Sequence, residues 1–219
     1  MDYGHFGKEY NGEKAIISLT SWKARINTVG LTIFSLLKQC PGFHIVLVLS
    51  EEEFPAKETE LPAPLQLLAS KNLIEILWVV KNYKSFKKVL FTMDKYNTVP
   101  IISADDDCIY VCNYAEELYN KWLLDPQRPV AYRKSNHKYC LCGPASIYPP
   151  SLYKELFNKF MQTYTGSPHD DDFVLCFLRD KNITPAHIST KFPCYFHDEI
   201  HPINGSQKNT RWINDQRFV

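Results

Sequence analysis

The chain has 219 residues, of which 45% are hydrophobic and 22% charged, so it is long enough to bury a full core, and we treat residues 1–219 as one domain. Lys and Arg total 25 against 24 Asp and Glu, so the chain lacks the strong net positive charge that is typical of a general nucleic-acid-binding protein. Seven cysteines without a C-x-x-C pair are typical of reduced cytosolic thiols, and not of a disulfide framework or a structural zinc site. We find no signal-peptide pattern and no apolar run near the roughly 20 residues that span a bilayer. We therefore expect a cytoplasmic protein, with peripheral contact to the inner face of the membrane left open.

The first half of the chain alternates strands and helices. Runs of β-branched and other apolar residues predict strands over 15–19 and 44–49, and apolar positions at helical spacing predict a helix over 28–39 between them. A third strand is predicted over 74–80 and a fourth over 99–103. This order predicts a parallel sheet with crossover helices.

Polar and basic residues follow two of these strands. Thr20, Trp22 and Arg25 come after the first strand. Lys87 and Lys88 belong to a basic stretch after the third strand, before a helix that we expect to begin at residue 89. Open α/β sheets bind ligands at the carboxyl ends of their strands, so both stretches are candidates for ligand contact. The alternative for the lysines is a solvated basic turn, and we expect at least one of them to be solvated.

Three consecutive carboxylates, Asp105, Asp106 and Asp107, follow the fourth strand and precede a second apolar piece at 109–111. Such a cluster at a strand end can hold a hard divalent cation through oxygen ligands, and the cation would cancel the repulsion between the carboxylates. The alternative is a charged turn between two strands. Successive side chains of an extended segment point to opposite faces, so we expect Asp105 and Asp107 to share a face and Asp106 to point away.

The second half of the chain has a different pattern. A helix is predicted over 114–124, and short strands over 130–132 and 138–141 indicate an antiparallel layer. A small-residue turn over 143–150 precedes a helix that is predicted to end near residue 164.

A second acidic cluster, Asp170, Asp171 and Asp172, opens a helix that is predicted to continue from 173 to 180. The helix dipole explains one or two acidic residues at a helix N-terminus. Three in a row exceed that structural need, so this cluster is a second candidate for chemistry.

Together these motifs resemble the GT-A-fold, nucleotide-sugar-dependent glycosyltransferases, of the bacterial family 2-like kind that builds surface polysaccharides. The resemblance covers most of the chain and rests on five segments, each similar to a family motif: 17–22 with 25–26 (opening strand and nucleotide-contacting loop), 86–88 (lysine motif), 105–107 with 109–110 (D-x-D metal motif), 143–150 (Gly-rich acceptor-side turn) and 170–173 (D-D-x-aromatic helix start). The Q-x-x-R-W signature of many family members is missing from the sequence, so processive polymerisation is not expected.

The resemblance implies a GT-A (Rossmann-like) α/β fold, with a mixed, mainly parallel sheet flanked by helices and a small antiparallel acceptor-side layer. It implies a nucleotide-sugar-binding half over about 15–112 and an acceptor-binding, catalytic half over about 113–219. The donor is a nucleotide sugar, most often a UDP-sugar, and the acceptor is a saccharide or glycolipid. The cofactor is Mn²⁺ or Mg²⁺, which stabilises the leaving diphosphate.

The resemblance also assigns roles to residues. Asp107 is the expected direct metal ligand, with Asp105 beside it. His197 or His201 is expected to complete the metal site, although either is equally explained as a surface or core histidine. Donor contacts are expected from Thr20, Trp22, Arg25, Lys87, Lys88, Asp105 and Asp106.

The general base is expected to be Asp171, on the face opposite the leaving group, which gives inversion. Asp170 or Asp172 takes this role if the register differs by one. Two other functions stay open: a metal-dependent phosphohydrolase or nuclease that uses both Asp clusters, and a non-catalytic carbohydrate-binding module that uses Trp22, Tyr148 and Trp212 as stacking surfaces.

Overall fold

A computed structural model of the chain describes residues 14–39, 41–132, 145–163, 170–188 and 194–196. The strands are β1 (Ala15–Thr20), β2 (Phe43–Ser50), β3 (Glu75–Val79), β4 (Ile101–Ser103), β5 (Cys108–Tyr110), β6 (Val130–Tyr132), β7 (Ser146–Tyr148), β8 (Ala186–Ile188) and β9 (Cys194–Phe196). The helices are α1 (Val29–Leu36), α2 (Ala63–Ser70), α3 (Phe86–Lys95), α4 (Tyr114–Trp122), α5 (Tyr153–Thr163) and α6 (Asp170–Asp180), with short 3-10 helices at Lys57–Glu60 and Pro150–Leu152.

Seven of the described strands form one mixed sheet in the order β3-β2-β1-β4-β7-β6-β8. β3, β2, β1 and β4 run parallel, whereas β7 runs antiparallel to both β4 and β6. β5 and β9 form a separate antiparallel pair. The predicted fold, a mainly parallel sheet flanked by helices with a small antiparallel layer, is confirmed. The division into a donor half and an acceptor half stays a prediction.

Each face of the large sheet is covered by helices. α1, α2 and α4 pack on one face, around Ile17, Leu47 and Ile102. α3, α5 and α6 pack on the other, around Ile16 and Val46. Because the central strands are buried on both faces, they are nearly continuous runs of Ile, Val and Leu, which is why the sequence identifies them.

Among the differences from the sequence prediction, two change the assigned structure of residues and not only the length of an element. α3 begins at Phe86 and not at residue 89, so it contains the two lysines that we expected in a turn. Residues 146–148, expected to lie in a turn, form β7, because they pair with β4 in register and the Ile147 side chain is fully buried. The strand predicted over 138–141 and residues 143–144 lie outside the described residues.

Within the described residues, no helix has the length and apolar character that crossing a membrane requires.

Candidate functional site

The candidate site lies at the carboxyl ends of β1 and β4, which are adjacent parallel strands. From β1 the chain moves to β2 on one side and later returns to β4 on the other, so the strand order reverses between β1 and β4. In open α/β sheets this reversal opens a crevice where ligands bind. The segment after β1 carries Arg25, and the segment after β4 carries the three aspartates.

Arg25 joins these two segments through its guanidinium group. Its Nη1 lies 2.9 Å from Asp106 Oδ1, and its Nη2 lies 3.1 Å from Asp107 Oδ2. Ser21 Oγ donates a hydrogen bond of 2.6 Å to the other oxygen of Asp106. All four residues are buried. A planar guanidinium can hold two carboxylates at once, which a single ammonium group cannot do with the same geometry.

The expected alternation of the three aspartates is therefore wrong. Asp106 and Asp107 share the Arg25 guanidinium, whereas Asp105 is bound by Lys88. The reason is the backbone: β4 ends at Ser103, and the chain turns at residues 106–107 before β5 begins at Cys108, so the period-2 rule for extended strands does not apply.

Lys87 and Lys88 lie in the first turn of α3, and the expectation that at least one of them is solvated is wrong. Both side chains are about 2% exposed. Lys88 Nζ binds Asp105 Oδ1, and Lys87 Nζ lies 3.0 Å from Glu53 Oε2 and 2.9 Å from Asn82 Oδ1. Each buried ammonium group thus has a carboxylate partner, as burial of a charge requires.

Of the two predicted nucleoside contacts after β1, Thr20 already makes a bond inside the sheet. Its Oγ1 donates a hydrogen bond of 2.7 Å to the carbonyl oxygen of Val48. Trp22 is half-buried, and its carbonyl oxygen accepts hydrogen bonds from the backbone of Arg25 and Ile26, at 2.9 and 3.0 Å. The Trp22 carbonyl thereby closes the turn that presents Arg25 to the aspartates.

A polar stripe on α1 and the turn that follows it was missed by the sequence prediction, which considered only the apolar positions of this segment. We call Thr32, Ser35 and Gln39 the polar stripe. Thr32 Oγ1 donates 2.9 Å to the carbonyl oxygen of Asp106, and Ser35 Oγ accepts 3.0 Å from the amide of Tyr110. Thr32 and Ser35, spaced i and i+3, lie on one side of α1, and Gln39 follows three residues after the helix ends; all three are buried. This spacing of polar residues was the available signal.

Burial perturbs the ionisation of these groups. It raises the pKa of Asp106 above the ordinary value, and the Arg25 guanidinium opposes that change. It also raises the pKa of Asp107, to about 7, with a further increase from the neighbouring Asp105 charge and an opposing effect of Arg25. Burial lowers the pKa of Lys87, against the attraction of Glu53. Perturbed ionisable groups at a strand-end crevice are typical of functional sites.

The three aspartates are the predicted ligands of Mn²⁺ or Mg²⁺. Among the described residues, no group of three or more His, Cys, Asp and Glu side chains is arranged to hold a metal ion. One oxygen of Asp105 is bound by Lys88, and its second oxygen can act as a ligand. Asp107 Oδ2 is bound by Arg25, and Asp107 Oδ1 accepts a hydrogen bond of 3.7 Å from Cys108 Sγ and keeps lone-pair capacity for a ligand. Mg²⁺ is commonly bound by one or two carboxylates together with substrate phosphates, so these residues fit a cation that is shared with a diphosphate.

The residues predicted for the other side of the reaction are only partly described. α6 begins at Asp170, which confirms that the second acidic cluster opens this helix. The side chains of Asp170 and Asp171, and all of His197 and His201, lie outside the described residues.

An aromatic cluster fixes the position of α6 against the rest of the fold. Phe173, in the first turn of α6, lies 5.7 Å from the Phe86 ring of α3 and 5.6 Å from the Phe160 ring of α5. The Phe86 and Phe160 rings are 4.7 Å apart. The start of α6 is therefore packed against the N-terminal end of the helix that carries Lys88.

Comparison with known proteins identifies the fold. The sequence matches no family model and no curated protein. The structure is similar to that of S. aureus TarS 1–349, with a TM-score of 0.56 and 11% sequence identity, and it is similar to the same protein in complex with UDP, with a TM-score of 0.58 and 11% identity. The similarity covers 84% and 83% of this chain and 60% of each TarS chain, so this chain spans less than two thirds of the TarS length. At this identity the comparison shows a shared fold and no more.

Proposed function

We propose that the chain is a nucleotide-sugar-dependent glycosyltransferase that transfers a sugar from a UDP-sugar to a saccharide or glycolipid acceptor. The observation that carries this proposal is the Asp turn held by Arg25 and Lys88 at the strand-order reversal between β1 and β4. The motif resemblance along the chain and the shared fold with a protein whose structure contains UDP support it. Family 2-like membership, a role in surface polysaccharide synthesis and a cytoplasmic or peripheral location belong to the same proposal.

On the donor side, the chain's residues hold and orient the diphosphate. Asp107, with Asp105 beside it, would hold Mn²⁺ or Mg²⁺, and a divalent cation supplies stabilisation of the negative charge on the leaving diphosphate. Arg25 and Lys88 place two positive charges beside the three aspartates, so the cluster repels an anionic donor less than three bare carboxylates would. Asp106, whose two oxygens are bound by Ser21 and Arg25, holds the turn in place.

On the acceptor side, a hydroxyl group must lose its proton as it attacks the anomeric carbon. Asp171 is the proposed base, with Asp170 as the alternative. Attack from the face opposite the diphosphate inverts the configuration at the anomeric carbon.

The proposal is tested by ligand-dependent stability. UDP with Mn²⁺, at about 100-fold above its Kd, is expected to raise the Tm by on the order of 5 to 10 °C, whereas UDP with EDTA is expected to raise it little. Asp107→Asn should abolish this shift, and the control Asp125→Asn, an exposed aspartate in the turn after α4, should keep it. A panel of nucleotide sugars, read by released UDP, then identifies the donor.

The rival functions give different results in the same assays. A phosphohydrolase would release phosphate from simple phosphate esters, and Asp107→Asn would abolish that activity. A carbohydrate-binding module would turn over no nucleotide sugar. Loss of donor turnover in both Asp107→Asn and Asp171→Asn supports the transferase, and unchanged turnover in both variants would overturn it.

A further inference from the structure

The turn that carries the aspartates is held by its backbone as well as by its side chains. Asp106 uses both carboxylate oxygens for Ser21 and Arg25, and its carbonyl oxygen accepts a hydrogen bond from Thr32. That carbonyl belongs to the peptide group that links Asp106 to Asp107. Its orientation therefore fixes the Asp107 nitrogen and Cα, from which the Asp107 side chain extends.

Thr32 is placed to fix this peptide group, because it lies on a rigid support. Its side chain is fully buried. Its neighbours Val29, Ile33 and Leu36 anchor α1 in the hydrophobic core that covers one face of β1 and β4. The distance from Thr32 Oγ1 to the Asp106 carbonyl oxygen is 2.9 Å, within the normal range for such a bond.

We propose that Thr32 is a positioning residue for the Asp107 carboxylate, acting through the Asp106 peptide group. The identity of the ligand that this carboxylate binds rests on the function proposed above. The positioning of the carboxylate by Thr32 rests on the geometry alone. Groups that orient a ligating side chain, without touching the ligand, commonly change metal affinity 10- to 100-fold when they are removed.

The polar stripe itself supplies residues for comparison. Ser35 and Gln39 make the same kind of bond farther along the segment: Ser35 Oγ accepts from the Tyr110 amide, and Gln39 Nε2 donates 2.9 Å to the Val111 carbonyl oxygen while its Oε1 accepts 3.0 Å from the Ala115 amide. The Gln39 bonds support Val111 and the start of α4, away from the aspartates. Ser35 supports Tyr110, whose hydroxyl group accepts a hydrogen bond of 2.8 Å from the Asp105 amide, so Gln39 is the better control. If Thr32 positions the carboxylate, removal of its bond lowers ligand affinity, whereas removal of the Gln39 bonds does not. Removal of either set of bonds lowers stability to a similar extent.

The experiment compares three variants of the full chain. Thr32→Val keeps the shape of the side chain and removes the donor, Thr32→Ser keeps the donor, and Gln39→Leu removes the distant bonds. We expect the Kd for UDP with Mn²⁺ to rise at least tenfold in Thr32→Val and to stay within about threefold in the other two, although the Tm falls in Gln39→Leu as much as in Thr32→Val. If Gln39→Leu fails to fold, Gln39→Met replaces it.

Hydrogen exchange provides a readout that does not depend on the proposed function. Exchange at residues 106–108 should accelerate more than at 111–115 in Thr32→Val, and the reverse order is expected in Gln39→Leu. Equal acceleration of both segments in Thr32→Val, or unchanged affinity in a folded Thr32→Val, would overturn the positioning role. If the wild-type protein binds no UDP with Mn²⁺, the proposed function falls, and the exchange pattern alone decides the role of Thr32.

Discussion

Arg25 is the residue on which the geometry of the candidate site depends most. Its side chain and those of Asp106 and Asp107 are between 5% and 10% exposed, so water screens these charges little. Removing one partner of a buried ion pair leaves an uncompensated charge, which costs more than the intact pair contributes. Here the loss of one cation would leave two carboxylates without their shared partner.

Arg25→Met is expected to lower the free energy of unfolding by about 3 to 5 kcal/mol, measured by urea denaturation at pH 7. Arg25→Lys should recover only part of this loss, because one ammonium group cannot reproduce both guanidinium contacts. The control is Lys23→Met: Lys23 is 67% exposed and its pair with Glu60 spans 3.3 Å, so little change is expected. A loss below about 1 kcal/mol in Arg25→Met would contradict the prediction.

Glu75 provides a prediction on pH dependence that is remote from the aspartates. Its Oε2 lies 3.3 Å from His44 Nε2 and accepts a hydrogen bond from Tyr96, and its Oε1 lies 3.1 Å from Lys95 Nζ. Burial alone would raise the pKa of Glu75, but these hydrogen bonds outweigh it and lower the pKa from 4.5 to about 2. The folded protein therefore keeps this carboxylate ionised at pH values where the unfolded chain binds a proton.

The stabilisation from Glu75 is complete above about pH 4.5 and is lost as the pH falls towards 2. Glu75→Gln should thus lower the free energy of unfolding by about 1 to 2 kcal/mol at pH 7, and this difference from wild type should shrink between pH 4.5 and 2. Urea denaturation across this range measures it, with Glu155→Gln as the control at a largely exposed pair. A difference that stays constant over the whole range would argue against the pKa assignment.

At the scale of elements, contact between α3 and β1 brings Lys88 to the aspartates. Ser18 of β1 donates a hydrogen bond of 2.5 Å to the carbonyl oxygen of Lys88, and its Oγ lies 2.7 Å from Thr92 Oγ1. These bonds require a small side chain at position 18, because the helix backbone approaches the strand directly. A larger residue would push the N-terminal end of α3 away from β4.

Ser18→Val is expected to destabilise the protein by about 1 to 3 kcal/mol, since it adds volume to a packed contact and removes the hydrogen bond from Ser18 to the Lys88 carbonyl. Ser18→Ala removes the same bond without adding volume and should cost less. Urea denaturation of both variants checks the order, with the exposed Ser70→Ala as the control. If Ser18→Ala were the more damaging of the two, the close approach of α3 would not be the reason for a serine here.

The elements also show what the sequence could and could not predict. Apolar runs located the four parallel strands, because strands buried on both faces need continuous hydrophobic sequence. The start of α3 was missed because local charge favours a solvated turn, whereas distant carboxylates at Glu53 and Asp105 make burial of its lysines possible. β7 was missed because its Ser146 is small and polar, and only pairing with Ser103 of β4 explains its burial.

The candidate site shows the same limit. Composition and motif order located the aspartates, Arg25 and the two lysines, since each of them follows a strand. The sequence could not show that one guanidinium holds two of the three carboxylates. This depends on a turn at 106–107, which interrupts the alternation of side chains that an extended strand would have. Nor could the sequence show that Thr32 of α1 bonds to this turn, because helical spacing indicates a shared side of the helix and not the partner on that side.

At the scale of the whole molecule, the aromatic cluster connects the part of the chain that holds the proposed donor-side residues to the part that carries the second acidic cluster. Phe86 belongs to α3, next to Lys87 and Lys88, whereas Phe160 and Phe173 belong to α5 and α6. The start of α6, with Asp170 and Asp171, is thereby held by ring packing against α3. The packing of these rings therefore sets the separation between the proposed donor site and the proposed base.

Phe173→Leu is expected to lower the rate of sugar transfer at saturating donor at least tenfold while the Kd for UDP with Mn²⁺ changes less than about threefold, because small displacements of a reacting group cost far more in rate than in binding. The control is Phe157→Leu on α5, whose ring packs against Phe91 and Tyr153 and not, in the described contacts, against α6. It should reduce the Tm to a similar extent and leave the transfer rate near wild type. An equal fall of the rate in both variants would show that general destabilisation is responsible, and a parallel loss of UDP affinity in Phe173→Leu would show that α6 contributes to the donor side instead.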